Sequence, residues 1–248
     1  MNLSPRLKKI ADFVPDGGVM ADVGTDHGHL PIYLVSLHKA ERAVAMDVRP
    51  GPLSRAQQAV EMYGLQDRIE LRLADGLAAL KPGEADTVVI AGMGGGLIRK
   101  IMGEGKHMWD SVGHWILSPQ SEIGETRHWL EEHGFSILKE DMVLDAGKYY
   151  VIMDVVRGTM HYDHEYEYTF GQDLIRRKHP LLKEFLEQEQ AKLQVLREKL
   201  DGQESERSRT RLLELDREEE LVRSALEATE NTDNIDNIDN ERHTDKVE

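Results

Sequence analysis

The run Ala21-Asp22-Val23-Gly24-Thr25-Asp26-His27-Gly28-His29-Leu30-Pro31 constrains this chain more than any other stretch. A short apolar strand candidate ends in a turn bearing two glycines and passes into a helical pattern. The next strand candidate, Ala43-Val44-Ala45-Met46, ends in Asp47. This is one β-α-β step of a parallel sheet, with the loops gathered at the carboxyl edge of the strands. Glycines there let the backbone approach a ligand, and an acid at the neighbouring strand end can grip ribose hydroxyls. A dinucleotide site wants glycine where this turn has Asp26, with His27 beside it. A carboxylate aimed into the loop repels a pyrophosphate, so NAD and FAD fit poorly. A phosphate-free cationic nucleoside, S-adenosylmethionine, suits an acidic loop.

The alternation continues to about residue 158. Val19–Val23, Arg42–Asp47, Ile69–Leu73, Thr87–Ala91 and His114–Leu117 read as strands, several of them nearly continuous apolar runs. Such runs belong to strands covered by helices on both faces. Pro31–His38, Gly51–Tyr63, Gly95–Gly103 and Glu122–His133 read as the helices between them, and Ser4-Pro5 opens a capped first helix. Ser136–Leu144 and Tyr149–Val156 flank a turn, which predicts an antiparallel hairpin. The fold class is therefore α/β: a mostly parallel, seven-stranded, Rossmann-like sheet with a terminal hairpin, the order of a class I methyltransferase.

Leucine spacing then changes. Leu182, Phe185, Leu186, Leu193, Leu196 and Leu200, then Leu212, Leu215, Val222 and Leu226, recur at helical steps around Asp201-Gly202-Gln203. That pattern predicts a coiled-coil hairpin. The expected domains are residues 1–160, a helical hairpin over 161–229, and a disordered acidic tail over 230–248, where Asn-Asp-Ile repeats replace any core pattern.

The chain has 248 residues and no cysteine, which removes disulfides and thiolate metal sites, and no metal site is expected. No long uncharged apolar run exists and Met1–Pro5 lacks a signal-peptide core, so a cytoplasmic protein without a membrane partner is expected. A net charge of −15 argues against nucleic acid when taken alone. Much of it sits late in the chain, so local clusters decide.

Four strand ends carry the donor site: Asp22, Gly24, Thr25 and Gly28; Asp47 and Val48; Asp75 and Gly76; and Ala91, Gly92 and Met93. Asp75 can accept a hydrogen bond from an adenine amine. The glycines from Gly92 to Gly96 carry an entropy cost that an ordinary connection does not need.

Thr25-Asp26-His27 with Leu30-Pro31, Ala91-Gly92-Met93-Gly94-Gly95, and Gly147-Lys148-Tyr149-Tyr150 resemble the bacterial tRNA (adenine-N1)-methyltransferase family, TrmK. The resemblance runs from the first helix through the leucine-rich hairpin. It implies a class I domain, S-adenosylmethionine as donor, adenine 22 of tRNA as acceptor, and a helical domain that helps hold the RNA. The family often has an aromatic residue where this chain has His29.

Adenine N1 has an in-plane lone pair and attacks a sulfonium methyl without prior deprotonation. The ring turns cationic and its N6 acidic, so the catalyst needs alignment plus an acceptor near N6. Asp26 is the candidate acceptor, with His27 as shuttle. The alternatives are a salt bridge from Asp26 to the donor's amino group, or a helix cap. Gly94 and Gly95 leave room for a flipped base. Gln120, Lys148 and Tyr149 are candidate base or phosphate contacts, and Arg6, Lys9, Arg176 and Arg177 candidate tRNA phosphate contacts. Further basic clusters lie at Arg99-Lys100 and Arg207–Arg211. A methyltransferase of a small molecule or protein, with the helical hairpin as an oligomerisation arm, is the alternative.

Overall fold

In a computed structural model, residues 1–200 and 205–231 are described. They fall into two compact units, Met1–His161 and the residues from Tyr162 onward.

In the first unit seven strands make one sheet: β1 (Val19–Val23), β2 (Arg42–Asp47), β3 (Ile69–Leu73), β4 (Thr87–Met93), β5 (His114–Pro119), β6 (Phe135–Asp145) and β7 (Lys148–Arg157). Their order is β3-β2-β1-β4-β5-β7-β6. The first five run parallel, and β7 lies antiparallel to both β5 and β6. Helices α1 (Pro5–Phe13), α2 (His29–Ser36), α3 (Pro50–Met62), α4 (Gly95–Glu104) and α5 (Ile123–Glu132) connect and cover it.

Side-chain alternation divides the core. Met20, Ala43, Ala45, Ile69, Val89, Ile116 and Ile152 face one way and pack with Ile10, Leu34 and Val60 of α1, α2 and α3. The intervening residues, among them Ala21, Val44, Met46, Val88, Ile90 and Leu117, are equally buried. Both faces of the central strands are thus dry, which is why their sequences read as apolar runs rather than alternating ones.

Local chemistry explains the ends. Ser4 Oγ accepts from Leu7 N–H at 3.4 Å and Pro5 occupies the first turn of α1. Ala146 (φ 49°) and Gly147 (φ 76°) form the two-residue turn between β6 and β7, both in the left-handed region that suits a hairpin. Several expected boundaries move by one or two residues, β5 for example running on to Pro119, and two of the shifts have a local cause. Helix α2 spans His29–Ser36 instead of residues 31–38, because Gly28 (φ 66°) lets the chain enter the helix at once and His38 (φ 57°) ends it. Strand β4 runs on to Met93 rather than stopping at Ala91, because Gly92 (φ 79°) is taken up as an extra residue where the pairing with β5 shifts.

The second unit contains α6 (Glu165–Phe170), α7 (Gln172–Arg176), α8 (Pro180–Leu200) and α9 (Glu206–Asn231). Helices α8 and α9 pack on each other, burying Leu182, Leu186 and Leu193 against Leu215, Val222 and Ala225. Leu196 was expected in that seam but is exposed, while neighbouring Arg197 crosses to Asp216 and Glu219. There the helices are joined by charge instead of leucine. The Asp201–Gln203 turn and all but the first two residues of the expected tail lie outside the described residues.

In the first unit, Arg127 of α5 and Glu140 of β6 form a fully buried pair, with Nε and Nη2 each 2.8 Å from Oε1. Arg127→Met removes one partner and leaves the other charge in the core. Urea unfolding should show a loss of about 3–5 kcal/mol, while an Arg127→Met/Glu140→Leu double variant should recover most of it.

Candidate functional site

Backbone hydrogen bonds between loops hold the carboxyl edge of the sheet together. The N–H groups of Gly24 and Thr25 both donate to the carbonyl of Met46, at 2.8 Å each. Ala74 N–H donates to Asp47 O at 3.1 Å, and Gln120 N–H to Met93 O at 2.9 Å. The ends of β1, β2 and β3 are thereby tied in one group and those of β4 and β5 in another, and a cleft of about 640 Å³ opens over them. That is the size range of a small-molecule site.

Each strand contributes to the cleft wall. The β1 loop brings Gly24 and Asp26, β2 brings Asp47 and Val48, β3 brings Asp75 and Gly76, and β4 brings Ala91, Gly92 and Met93. Arg6 of α1 joins them. The glycines are required. Gly24 (φ 80°) has the Met93 side chain where a Cβ would stand, and a Cβ on Gly92 would lie 3.2 Å from Arg6 Nη1. Asp47 is buried, and its Oδ1 accepts from Arg49 N–H at 2.7 Å, which leaves Oδ2 for a partner in the cleft. Asp75 is exposed to the cleft.

Asp22, Thr25 and Gly28 stand behind this wall rather than on it. Asp22 is buried on the same face of β1 as Met20, and burial pushes its carboxyl up to about 6; the Thr25 hydroxyl pulls it down and Asp47 raises it. Gly28 is the N-cap of α2, where its missing Cβ lets Ala56 of α3 approach.

Asp26 is 78% exposed at the mouth, 3.7 Å from Arg55 and 3.5 Å from His27 Nε2. It does not cap α2, which has no side-chain cap, so that alternative falls. His27 (φ 57°) is not part of the cleft wall; its Nε2 accepts from Arg55 Nε at 3.1 Å and its ring stacks on His29 at 5.4 Å. A proton shuttle through Nε2 would first have to displace Arg55.

Gly94 and Gly95 also lie off the cleft. A Cβ on Gly95 would meet Thr126 Oγ1 at 2.5 Å and the carbonyls of Ser121 and Glu122 at 2.6 Å, so this glycine answers to packing against the β5–α5 loop, not to space over a base. Glu122 (φ 52°) accepts from Gly96 N–H and pairs with Arg99, holding the start of α4 and occupying one of the expected phosphate-binding cations. Gln120 is exposed beside Gly92, and Lys148 is exposed in the β6–β7 hairpin. Tyr149 is half-buried on β7. Lys9 is bound to Asp141 at 2.8 Å. Arg176 and Arg177 belong to the second unit, where Arg177 pairs with Asp173. Among the described residues no group of three His, Asp or Glu is placed to hold a metal, and no helix is long and apolar enough to cross a membrane.

Sequence reasoning missed Arg49 and Arg55, which line the cleft from the entry and first turns of α3. The available signal was their position just after Asp47, on the helix that follows the acid.

Residues 3–153 match the methyltransferase domain family. The Bacillus subtilis M1A22 tRNA methyltransferase TrmK superposes with a TM-score of 0.80 at 32% identity, covering 91% of this chain and 99% of that one. The chain belongs to the TrmK family of tRNA (m1A22) methyltransferases. Streptococcus pneumoniae Sp1610, solved in complex with S-adenosyl-L-methionine, superposes at 0.81 with 34% identity, covering 91% of this chain and all of that one. A curated relative, the tRNA (adenine(22)-N(1))-methyltransferase of Bacillus subtilis, is 40% identical over 153 residues. That alignment spans 62% of this chain and 64% of the relative's length. Family membership rests on 91% of the chain in the structural comparison, and the family model lies within the sheet-bearing unit.

Asp22 has a measurable consequence. Its carboxyl is raised from an ordinary 3.8 to about 6 in the folded chain, so the folded state keeps a proton that the unfolded chain releases. This group's stabilising contribution is complete below pH 4 and is lost as pH rises to 6, by roughly 3 kcal/mol. Urea titrations at pH 4, 6 and 8 should find Asp22→Asn flatter in that window and more stable than the parent at pH 8. Gly95→Ala should cost about 1–3 kcal/mol by the same measurement, from the backbone atoms that its Cβ would displace.

Proposed function

We propose that this chain transfers a methyl group from S-adenosyl-L-methionine to N1 of adenine 22 in tRNA, as a cytoplasmic enzyme. The observation that carries the reading is one cleft bringing Gly24, Asp47, Asp75 and Gly92 together at successive strand ends, in a member of the TrmK family.

The residues fit the donor. Asp47 lines the cleft with one oxygen engaged by backbone, and its other oxygen can accept from a ribose diol. Asp75, on the same cleft, can accept from an adenine amine. Gly24 and Gly92 allow close backbone approach, and no helix N-terminus with a glycine phosphate cradle is needed for a ligand without phosphates. When bound, the donor supplies an electrophilic methyl group on a cationic sulfonium.

The rest of the chemistry falls to the chain. Adenine N1 is hidden in a stack or pair, so the base must be turned out and brought in line with the methyl group. Asp26, at the open mouth of the cleft and next to Arg55, is our candidate for the acceptor of the N6 proton as the ring becomes cationic. His27 sits between the two and orients them through Arg55. Gln120 beside Gly92 is placed to meet the base, and Lys148 and Tyr149 to meet the nucleotide's flanks. We assign residues 1–160 to methyl transfer and the helical residues 161–229, with Arg176 and Arg177, to holding the tRNA.

Incubation of unmodified tRNA with the protein and methyl-labelled donor should place 1-methyladenosine at position 22. Label in another nucleoside, or none in tRNA, would overturn the assignment. Asp26→Ala should lower kcat roughly 100-fold or more, the scale of one positioned acid–base group, with little change in donor Kd. Equal losses in the two would move Asp26 to the donor site.

A further inference from the structure

Strands β4 and β5 stop pairing at Met93 and Pro119, yet the loops that follow them stay joined. Gln120 N–H donates to Met93 O at 2.9 Å, and Gly95 N–H to Ser121 O at 3.0 Å. The third rung is a side chain: Gly96 N–H donates to Glu122 Oε2 at 3.0 Å. Its other oxygen, Oε1, accepts from Arg99 Nη2 at 2.8 Å, and Arg99 Nη1 reaches the Glu122 carbonyl at 3.4 Å. One of these loops follows Met93, which lines the cleft, and the other carries Gln120 beside Gly92.

Glu122 supplies what α4 lacks. That helix has Gly94 at its N-cap and no side-chain cap of its own. A Cβ at Gly94 would lie 3.0 Å from Ser121 Oγ, so a serine or aspartate cap there would press on the neighbouring loop. The cap comes from across the gap instead, and its carboxylate meets the positive end of the helix dipole. Gly96 N–H first and Arg99 second hold the Glu122 carboxyl below the usual carboxylate range, so the strut is charged at neutral pH. To deliver it, Glu122 adopts φ 52° and ψ 45°, a left-handed conformation that costs a residue with a Cβ. Thr126 Oγ1 donates to the Glu122 carbonyl at 2.7 Å and fixes that turn. The loops of Gly24, Asp47 and Asp75 are braced separately, through the carbonyls of Met46 and Asp47.

We propose that Glu122 is a positioning residue for methyl transfer: through Gly96 and Arg99 it holds the β4 and β5 loops together, so that Gln120 meets the acceptor base in line with the methyl group. The inference rests on the methyl-transfer reading above and on Gln120 as a base contact. Methyl transfer needs the nucleophile, the methyl carbon and the sulfur in line, and a displacement of about 1 Å between reacting groups costs on the order of 100-fold in rate. A strut that joins the two loops acts on that alignment without touching donor or base.

Glu122→Gly, Glu122→Gln and Arg99→Met would be compared with the parent by steady-state methylation of tRNA, calorimetry with S-adenosylmethionine and thermal melting. Glu122→Gly keeps the left-handed turn and deletes the strut. It should lower kcat roughly 10- to 100-fold, with donor Kd and KM for tRNA within about twofold of the parent. Parent-like donor binding also shows that the variant is folded. Glu122→Gln keeps an acceptor for Gly96 N–H and should recover most of the lost kcat, while Arg99→Met, which removes one anchor, should fall between them. An unchanged kcat in Glu122→Gly would overturn the proposal, as would kcat and donor affinity falling together with the melting temperature, which makes Glu122 a general brace of the fold. A raised KM for tRNA at unchanged kcat would also overturn it, by assigning this loop to docking. Failure of the parent chain to methylate tRNA would instead overturn the functional reading on which this rests.

Discussion

The structure depends on β1 lying between β2 and β4. A chain that pairs its first strand on both sides must leave the sheet in opposite directions from there, so the loops after neighbouring strands part and a cleft opens at the carboxyl edge. Met46 then locks that edge by accepting from both Gly24 and Thr25, while Asp47 and Met93 carbonyls tie down the next loops. These few backbone bonds hold the loops that carry Gly24, Asp47, Asp75 and Met93. They connect residues more than twenty apart in sequence, and none involves a side chain.

Charge is distributed around this edge according to access to water. Asp22, one residue before the strand ends, is buried deeply enough to lose its preference for ionisation at mildly acidic pH. Asp47 is buried but supported by a backbone N–H, and Asp26 is out in solvent next to a cation. Three aspartates of the same short region therefore play three different parts, set by environment rather than residue type.

Much of this was legible beforehand. Strand runs such as Val19–Val23 and Arg42–Asp47 match their observed spans, because a strand buried on both faces has to be apolar throughout. The glycines at 24, 28 and 92 signalled backbone conformations that other residues rarely adopt, and all three have positive φ. Less legible was what a glycine is for. Gly92 and Gly95 stand three residues apart in one motif, yet one borders the cleft and the other packs under Ser121 and Glu122. Arg55 and Arg6 were similarly opaque in role: an arginine on an amphipathic helix looks the same whether it faces solvent or turns into a site, and only the packing of α1 and α3 on the sheet decides.

By itself, then, the amino-acid order determined the succession of strands and helices, the hairpin turn at Ala146-Gly147, the acid that ends β2 and the one that follows β3. Backbone preference and hydrophobic period act over a few neighbours, so they can be read from a few neighbours. Tertiary structure alone decided that Asp22 would be desolvated, that Gly95 would serve packing, that Arg55 would engage Asp26 and His27, and that Arg6 would stand over Gly92 against Tyr150. Those outcomes depend on register and packing between residues far apart in the chain, where a shift of one position turns a side chain to the opposite face of the sheet.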